Sequence, residues 1–369
     1  MNYISALMLC ISLLIPSSQA AGGDTLNLPK GGEANGLTVG ALYYLWWGLL
    51  PGDKNTWNLG HSLTPELGEY NSRDTCVAEQ HLQWASQYGI NLLEVSWAGP
   101  GKRDPSLDND DIDLALKEGL LGAPSIAKVK FLLVYETEKA LGAEAEKLGY
   151  DPKRAFVEDI LYANQNYFNH DGYFRLGGRP VVMIWKTRAT LDSLLQRAGH
   201  ELSAVFKEIE RACNQDLFWV GLGEDIYNPK GPDAEEPLLK VVDGIAPLLG
   251  DDFPAGGEKP WREYLDHITT SYALWQSAAK RHGFIFIPSA LPGFDDRGFK
   301  LGQNRSMKMD PGNFSESVRL AKEVADSGSR WVSIYGFNEW FESGGIEPTK
   351  EYGMLFLTAL RSALGGAGD

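Results

Sequence analysis

The sequence is poor in the residues that staple or metallate a fold. It has three cysteines in 369 residues. Cys10 lies in an N-terminal segment of its own, so Cys76 and Cys213 remain. Two thiols make no disulfide framework and no zinc set, and whether they pair is left open. Six histidines (His61, His81, His170, His200, His267 and His282) show no paired ligand spacing. No metal and no cofactor is expected. No Gly-x-Gly-x-x-Gly follows the first strand-like run, and no Gly-x-Ser-x-Gly elbow or phosphate loop occurs, so the usual nucleotide and serine-hydrolase signatures are missing. Positive charge is also short: 34 basic against 49 acidic residues leave a net charge of −15. Such a surface repels phosphate backbones and anionic bilayers, which excludes nucleic acid and membrane as partners. No repeat, low-complexity tract or linker divides the chain, and a monomer is expected.

Met1–Ala20 carries no charged side chain. Its apolar run Ile4–Ile15 has the length of a signal-peptide core, and small residues stand at Ser18 and Ala20. The expectation is an export signal at 1–20, cleaved before Ala21, and one domain over 21–369, placed in the periplasm, outside the cell or in a secretory pathway. No Lys or Arg precedes the run. A buried N-terminal helix is the alternative, and the run is too short for a membrane span.

Eight short runs rich in β-branched and aromatic residues follow: Val39–Trp46, Asn91–Trp97, Val129–Glu136, Pro180–Trp185, Leu217–Gly223, Val242–Pro247, Phe284–Ala290 and Trp331–Phe337. Stretches with helical periodicity lie between them, at Thr75–Tyr88, Phe156–Phe168, Leu191–Ala212, Trp261–Arg281 and Phe314–Ser327. Runs that are apolar throughout suit strands covered on both faces. Alternation repeated eight times predicts an α/β fold, a (β/α)8 barrel with extended βα loops, with a doubly wound sheet as the other candidate.

In a barrel the chemistry sits past the C-terminal ends of the strands. Those ends are rich in aromatics and carboxylates: Tyr44, Trp46 and Trp47, then Trp97, Glu136 and Trp185, then Asn338-Glu339-Trp340. Aromatic faces stack on the C–H faces of sugars, and carboxylates and amides bond their hydroxyls. An oligo- or polysaccharide is the substrate this composition suits; capping of the barrel layers is the plain reading of each aromatic by itself. Glu339 and Glu342 are three residues apart, so a helical exit from the last strand turns both to one side. Two such carboxylates repel, which raises one pKa and leaves the other low. That division supplies the acid and the base of glycosidic cleavage. A solvated acidic loop is the alternative.

Asn338-Glu339-Trp340-Phe341-Glu342, with Ile346-Glu347-Pro348 close behind, resembles glycoside hydrolase family 99, the endo-α-1,2-mannosidases and endo-α-1,2-mannanases. Tyr43-Tyr44-Leu45-Trp46-Trp47-Gly48, Ser96-Trp97, Gly99-Pro100, Glu136, Gly178–Val182 and Pro292–Asp296 resemble the family's other motifs in order, over nearly the whole chain after residue 20. The resemblance implies a retaining barrel enzyme that uses the substrate's own 2-hydroxyl as nucleophile through a 1,2-anhydro sugar. It makes Glu339 the base for that hydroxyl and Glu342 the acid and then the base. It places Tyr44, Trp46, Trp47, Trp97, Glu136, Asp295, Asn338, Trp340 and Glu347 around the substrate, with Trp185 added from its strand end and His61 from the first rim loop.

Several positions depart from the family. Phe341 replaces a usual histidine, Ser343-Gly344-Gly345 a usual Gly-Thr-Gln, Ala98 an aromatic, and Leu49-Leu50-Pro51 a usual Asn-Pro. Reaction type is therefore better determined than the sugar. The other functions in play are a glycosidase of the same barrel acting on a substituted or algal polysaccharide, and a non-catalytic glycan binder. The acidic run Asp104, Asp108, Asp110, Asp111, Asp113 lacks a calcium-loop pattern and reads as a solvated helix start.

Overall fold

The structure, a computed structural model, describes residues 36–50, 54–101, 109–141, 149–224, 236–247, 256–325 and 328–365. The expected export signal with Cys10, and the residues Asp104 and Asp108, lie outside them.

The eight runs all appear as strands, shorter than the sequence suggests at several ends. They are β1 Thr38–Tyr43, β2 Leu92–Trp97, β3 Lys130–Tyr135, β4 Arg179–Trp185, β5 Phe218–Glu224, β6 Gly244–Pro247, the pair β7 Ile285–Phe286 and β8 Ser289–Ala290, and β9 Trp331–Ile334. Neighbours pair in parallel from β6 through β5, β4, β3 and β2 to β1, and β1 pairs with β9. The Phe284–Ala290 run splits at Ile287-Pro288. Its first half pairs with β6 and its second half with β9. Proline has no amide hydrogen to give a ladder, so the strand breaks there. The backbone compensates: Ile287 N–H donates to the Ile245 carbonyl at 2.8 Å, and the Pro288 carbonyl accepts from Ser333 N–H at 3.0 Å.

The result is a curled parallel sheet with helices around it. Thr75–Tyr88 (α1) forms as expected; the Asp74 side chain accepts from the Cys76 amide and Gly89 ends the helix in a left-handed conformation. The expected Leu191–Ala212 helix is instead broken, because Gly199 interrupts it, and Leu202–Cys213 is its longest regular part. Leu355–Leu364, where no helix is expected from the sequence, is a further helix. Trp47, Phe131, Tyr135, Phe286 and Trp331 are among the largest fully buried side chains. Cys213 is a free, buried thiol, so the Cys76–Cys213 pair left open above is not formed. Among the described residues no helix is long and apolar enough to cross a membrane.

One interior strand carries an acid. Glu94 of β2 is fully buried, accepting from Trp331 Nε1 at 3.0 Å and Ser333 Oγ at 2.5 Å. Gly40 on β1 makes room: a Cβ there would lie 1.9 Å from Glu94 Oε1. Burial pushes the Glu94 carboxyl up to about 7, against the two donated hydrogen bonds.

Candidate active site

β9 ends in a turn that bends back over the sheet. Gly336 takes φ +87°, a left-handed conformation that a side chain resists. The chain is then re-attached: Phe337 N–H donates to the Leu42 carbonyl, and Glu347 N–H to the Phe337 carbonyl, at 2.6 and 2.7 Å. A helical exit was expected. Residues 340–343 form only a turn, closed by Ser343 N–H on the Trp340 carbonyl at 3.3 Å.

The two glutamates nevertheless come together at this turn. Glu339 is buried, and Oε1 accepts from Phe341 N–H at 3.0 Å. Burial first, and then the Glu342 charge beside it, push its carboxyl well above the usual carboxylate range. Glu136 adds to the rise, while Lys139 opposes it. Glu342 keeps 19% of its side chain exposed. Its Oε2 accepts from the Tyr335 hydroxyl, and its Oε1 lies 3.7 Å from Arg305 Nη2. Arg305 is itself buried and paired with Asp296, Nε to Oδ2, at 2.8 Å.

Around the pair the sequence-predicted residues divide into two sets. Tyr44 and Trp46 meet just past the end of β1 with tilted rings, their centres 4.5 Å apart. Trp46 also faces Phe341, and its indole N–H is buried with no acceptor among the described residues. Glu136, at the end of β3, accepts from Ser96 Oγ at 2.7 Å and lies 4.0 Å from Lys139 Nζ. Asp295 joins the turn through its amide, which donates to the Glu342 carbonyl at 2.6 Å; its carboxylate is held by Arg297 and lowered by it, against the effect of burial. Trp185 and His61 are partly exposed. The Trp185 carbonyl accepts from Thr137 Oγ1, and His61 Nδ1 is tied to the Leu63 carbonyl at 2.7 Å.

The second set lies in the packing beneath. Asn338 clasps the Tyr44 backbone with both ends of its amide, at 2.8 and 2.9 Å. Trp47 Nε1 donates to the Asn338 carbonyl at 3.1 Å. Trp340 Nε1 donates to the Tyr70 hydroxyl, which in turn donates to Glu347 at 2.8 Å. The Glu347 side chain is fully buried; its other oxygen meets His81 Nε2 at 3.1 Å, and His81 Nδ1 meets the Tyr43 hydroxyl at 2.9 Å. Burial and the Glu347 charge raise the pKa of both Tyr43 and Tyr70, so both stay protonated. Trp97 is buried as well. Its Nε1 donates at 3.0 Å to Asp113, which also accepts from Tyr162 and Tyr167. Asp113 is therefore a buried hub for Trp97, and the expectation of a solvated acidic run is corrected at this residue.

Of the departures, Ala98 and Ser343 are buried, whereas Leu49 and Phe341 are partly exposed. Phe341 stacks on Phe299 with ring centres 4.6 Å apart. Lys139, Arg305 and Tyr335 escape the sequence reading. Lys139 was within reach of it, three residues after Glu136 on a short helix; Arg305 acts from the hairpin in which Phe294–Asp295 pairs antiparallel with Ser306–Met307, with no local link to Glu342.

No protein-family model matches the chain. The glycoprotein endo-alpha-1,2-mannosidase of Mus musculus is 24% identical over 79% of this chain and 57% of its own length. That of Rattus norvegicus is 23% identical over 88% of this chain and 72% of its own. A solved GH99 endo-alpha-mannosidase from Bacteroides thetaiotaomicron superposes with a TM-score of 0.62, at 22% identity, covering 88% of this chain and 95% of that one. The chain is a divergent relative of the GH99 endo-alpha-mannosidases. It spans somewhat more than half the length of the mouse enzyme. A glycoside hydrolase-like protein superposes at 0.65 with 21% identity, over 90% of this chain and 94% of that one. The shared curled parallel sheet is the GH99 architecture.

Proposed function

We propose that this chain is an exported, retaining, endo-acting glycoside hydrolase that cleaves α-1,2-type mannosidic linkages. The observation that carries the reading is the placement of buried Glu339 beside partly exposed Glu342 at the exit of β9. One is buried and binds a proton readily; the other is partly open to solvent. On this reading residues 21–369 form one catalytic (β/α)8 barrel, with Ile285–Ala290 as its seventh strand, and 1–20 direct export.

In the reaction Glu339 takes the proton of the substrate's 2-hydroxyl. That oxygen attacks the anomeric carbon as Glu342 gives its proton to the leaving glycosidic oxygen. The C1–O2 bond forms and the glycosidic bond breaks. Glu342, now ionised, takes a proton from water, which opens the anhydro ring at C1, and Glu339 returns its proton to O2. Two inversions at C1 retain the configuration. An axial 2-hydroxyl lies trans to an α-linked leaving group, so the first attack is in line and intramolecular, which offsets much of the entropic cost. A carboxylate of raised pKa is the stronger base once ionised, so Glu339 acts in this role at pH values above its own pKa. The unpaired Trp46 N–H suits a sugar hydroxyl as acceptor. Asn338, Trp47, Trp340 and Glu347 support the turn from beneath.

The test is hydrolysis of an α-1,2-linked manno-oligosaccharide followed by proton NMR. The first product is expected in the α configuration; a β product first removes the anhydro route. A second reading, the same reaction on a differently substituted glycan, is favoured by Phe341. It forms an apolar wall with Phe299 and Trp46 where the family usually has a polar imidazole. A panel of α-mannans, glucosyl-mannosyl oligosaccharides and algal glycans separates the two.

A further inference from the structure

Glu342 is gripped from both sides. The Tyr335 hydroxyl donates to one oxygen, and Arg305 stands 3.7 Å from the other. Arg305 is not free to adjust. Its Nε is on Asp296 at 2.8 Å, and the same carboxylate accepts its amide at 2.6 Å and that of Gln303 at 3.1 Å. Asp295, whose amide meets the Glu342 carbonyl, is neutralised by Arg297. Glu339, Arg305 with Asp296, and Tyr335 are titratable groups that face Glu342.

Tyr335 directly follows β9 and is buried, its amide donating to the Ala290 carbonyl at 2.9 Å. Its ring fits because residue 344 has no side chain. A Cβ at Gly344 would lie 2.8 Å from Tyr335 Cε1 and 2.9 Å from Cδ1. Gly344 does not adopt a left-handed conformation. Space, and not backbone geometry, calls for glycine there. A residue in the loop that replaces the family's Gly-Thr-Gln thus makes room for the ring that reaches Glu342.

We propose that Tyr335, with Gly344 clearing its ring, is the positioning residue that orients Glu342 and sets its affinity for the proton it delivers. The inference rests on the reading of Glu342 as the acid. A hydroxyl donating to a carboxylate favours the charged form, so Tyr335 makes Glu342 release its proton more readily. Arg305 acts in the same direction. The pair tunes Glu342 against the opposing effect of Glu339.

The test needs no substrate at first. Protein carrying isotope-labelled glutamate carboxyls is titrated by carbon NMR, with Glu342→Gln identifying the resonance. Tyr335→Phe keeps the ring and removes the donor. The Glu342 midpoint is expected to rise by about one pH unit. In hydrolysis assays the alkaline limb of kcat moves up with it. Gly344→Ala pushes the ring aside and is expected to raise the midpoint too, while adding little on top of Tyr335→Phe. An unmoved midpoint in Tyr335→Phe overturns the proposal. So does a fall in kcat with both midpoint and limb in place, since that is the mark of a purely structural role. A raised midpoint in a protein that cleaves no glycan leaves the positioning role standing and removes the hydrolase reading.

Discussion

The Lys139 ammonium sits 3.3 Å above the centre of the Trp46 ring. It also lies 4.0 Å from Glu136. Lys139 is therefore a cation held on an aromatic face, a contact worth about 1–2 kcal/mol when partly desolvated. From there its charge favours the ionised form of Glu339. Lys139→Met removes that charge and leaves the length of the side chain. A base must be ionised to act, so activity falls as pH drops through its pKa. Raising that pKa moves the acid limb of kcat/KM to higher pH, by an expected half to one pH unit. An unchanged acid limb in Lys139→Met would show that the cation does not act on the base.

The raised Glu339 carboxyl has a consequence for the wild type as well. The acid limb of kcat/KM is expected above the ordinary range for a surface glutamate, giving an optimum nearer neutrality. A profile that stays flat to pH 4.5 would contradict it.

Glu339→Gln and Glu342→Gln each remove one proton-transfer group with little change in shape. Each is expected to lower kcat by about 100-fold or more. Thermal unfolding of both variants should stay close to that of the parent. Undiminished turnover in both would remove the assignment of the pair.

Glu94 gives a pH-dependent stability. Its carboxyl titrates at about 7 in the folded protein, against 4.5 for the free group. The folded state prefers the protonated form, so the stabilisation is complete below pH 4.5. It is lost as pH rises from there through 7. At 1.36 kcal/mol per pH unit this amounts to about 3 kcal/mol. Denaturant midpoints at pH 5 and 7.5 measure it, and Glu94→Gln should flatten the difference.

Glu347 accepts from Tyr70 and meets His81, with its side chain fully buried. Glu347→Ala leaves both partners without an acceptor in the core. A loss of about 3 kcal/mol is expected, read as a lower urea midpoint at unchanged slope. Stability within error of the parent would mean that the core adjusts around the gap.

The amino-acid sequence carried the eight strands, because apolar β-branched runs between helical stretches suit a parallel sheet covered on both faces; it left a barrel and a doubly wound sheet both open. The carboxylate pair was legible too, since Glu339 and Glu342 are neighbours on one short segment and stay close whether the exit is a helix or the observed turn. The break at Pro288 was present in the sequence as a proline inside a strand-like run. Which partners each predicted site residue takes was not legible. Trp46, Glu136, Trp97 and Glu347 are all buried; the last two differ in being tied to Asp113 and to His81 and Tyr70.

Sequence alone thus determined the overall charge, the eight strand runs and the local pair at 339 and 342, the last two through spacing along the chain. Tertiary structure decided the environment of that pair. Lys139, Arg305 and Tyr335 reach the two glutamates from β3's exit, from a hairpin and from the end of β9. Proton affinity follows from burial and from charges brought close in space, and separation along the chain does not encode either.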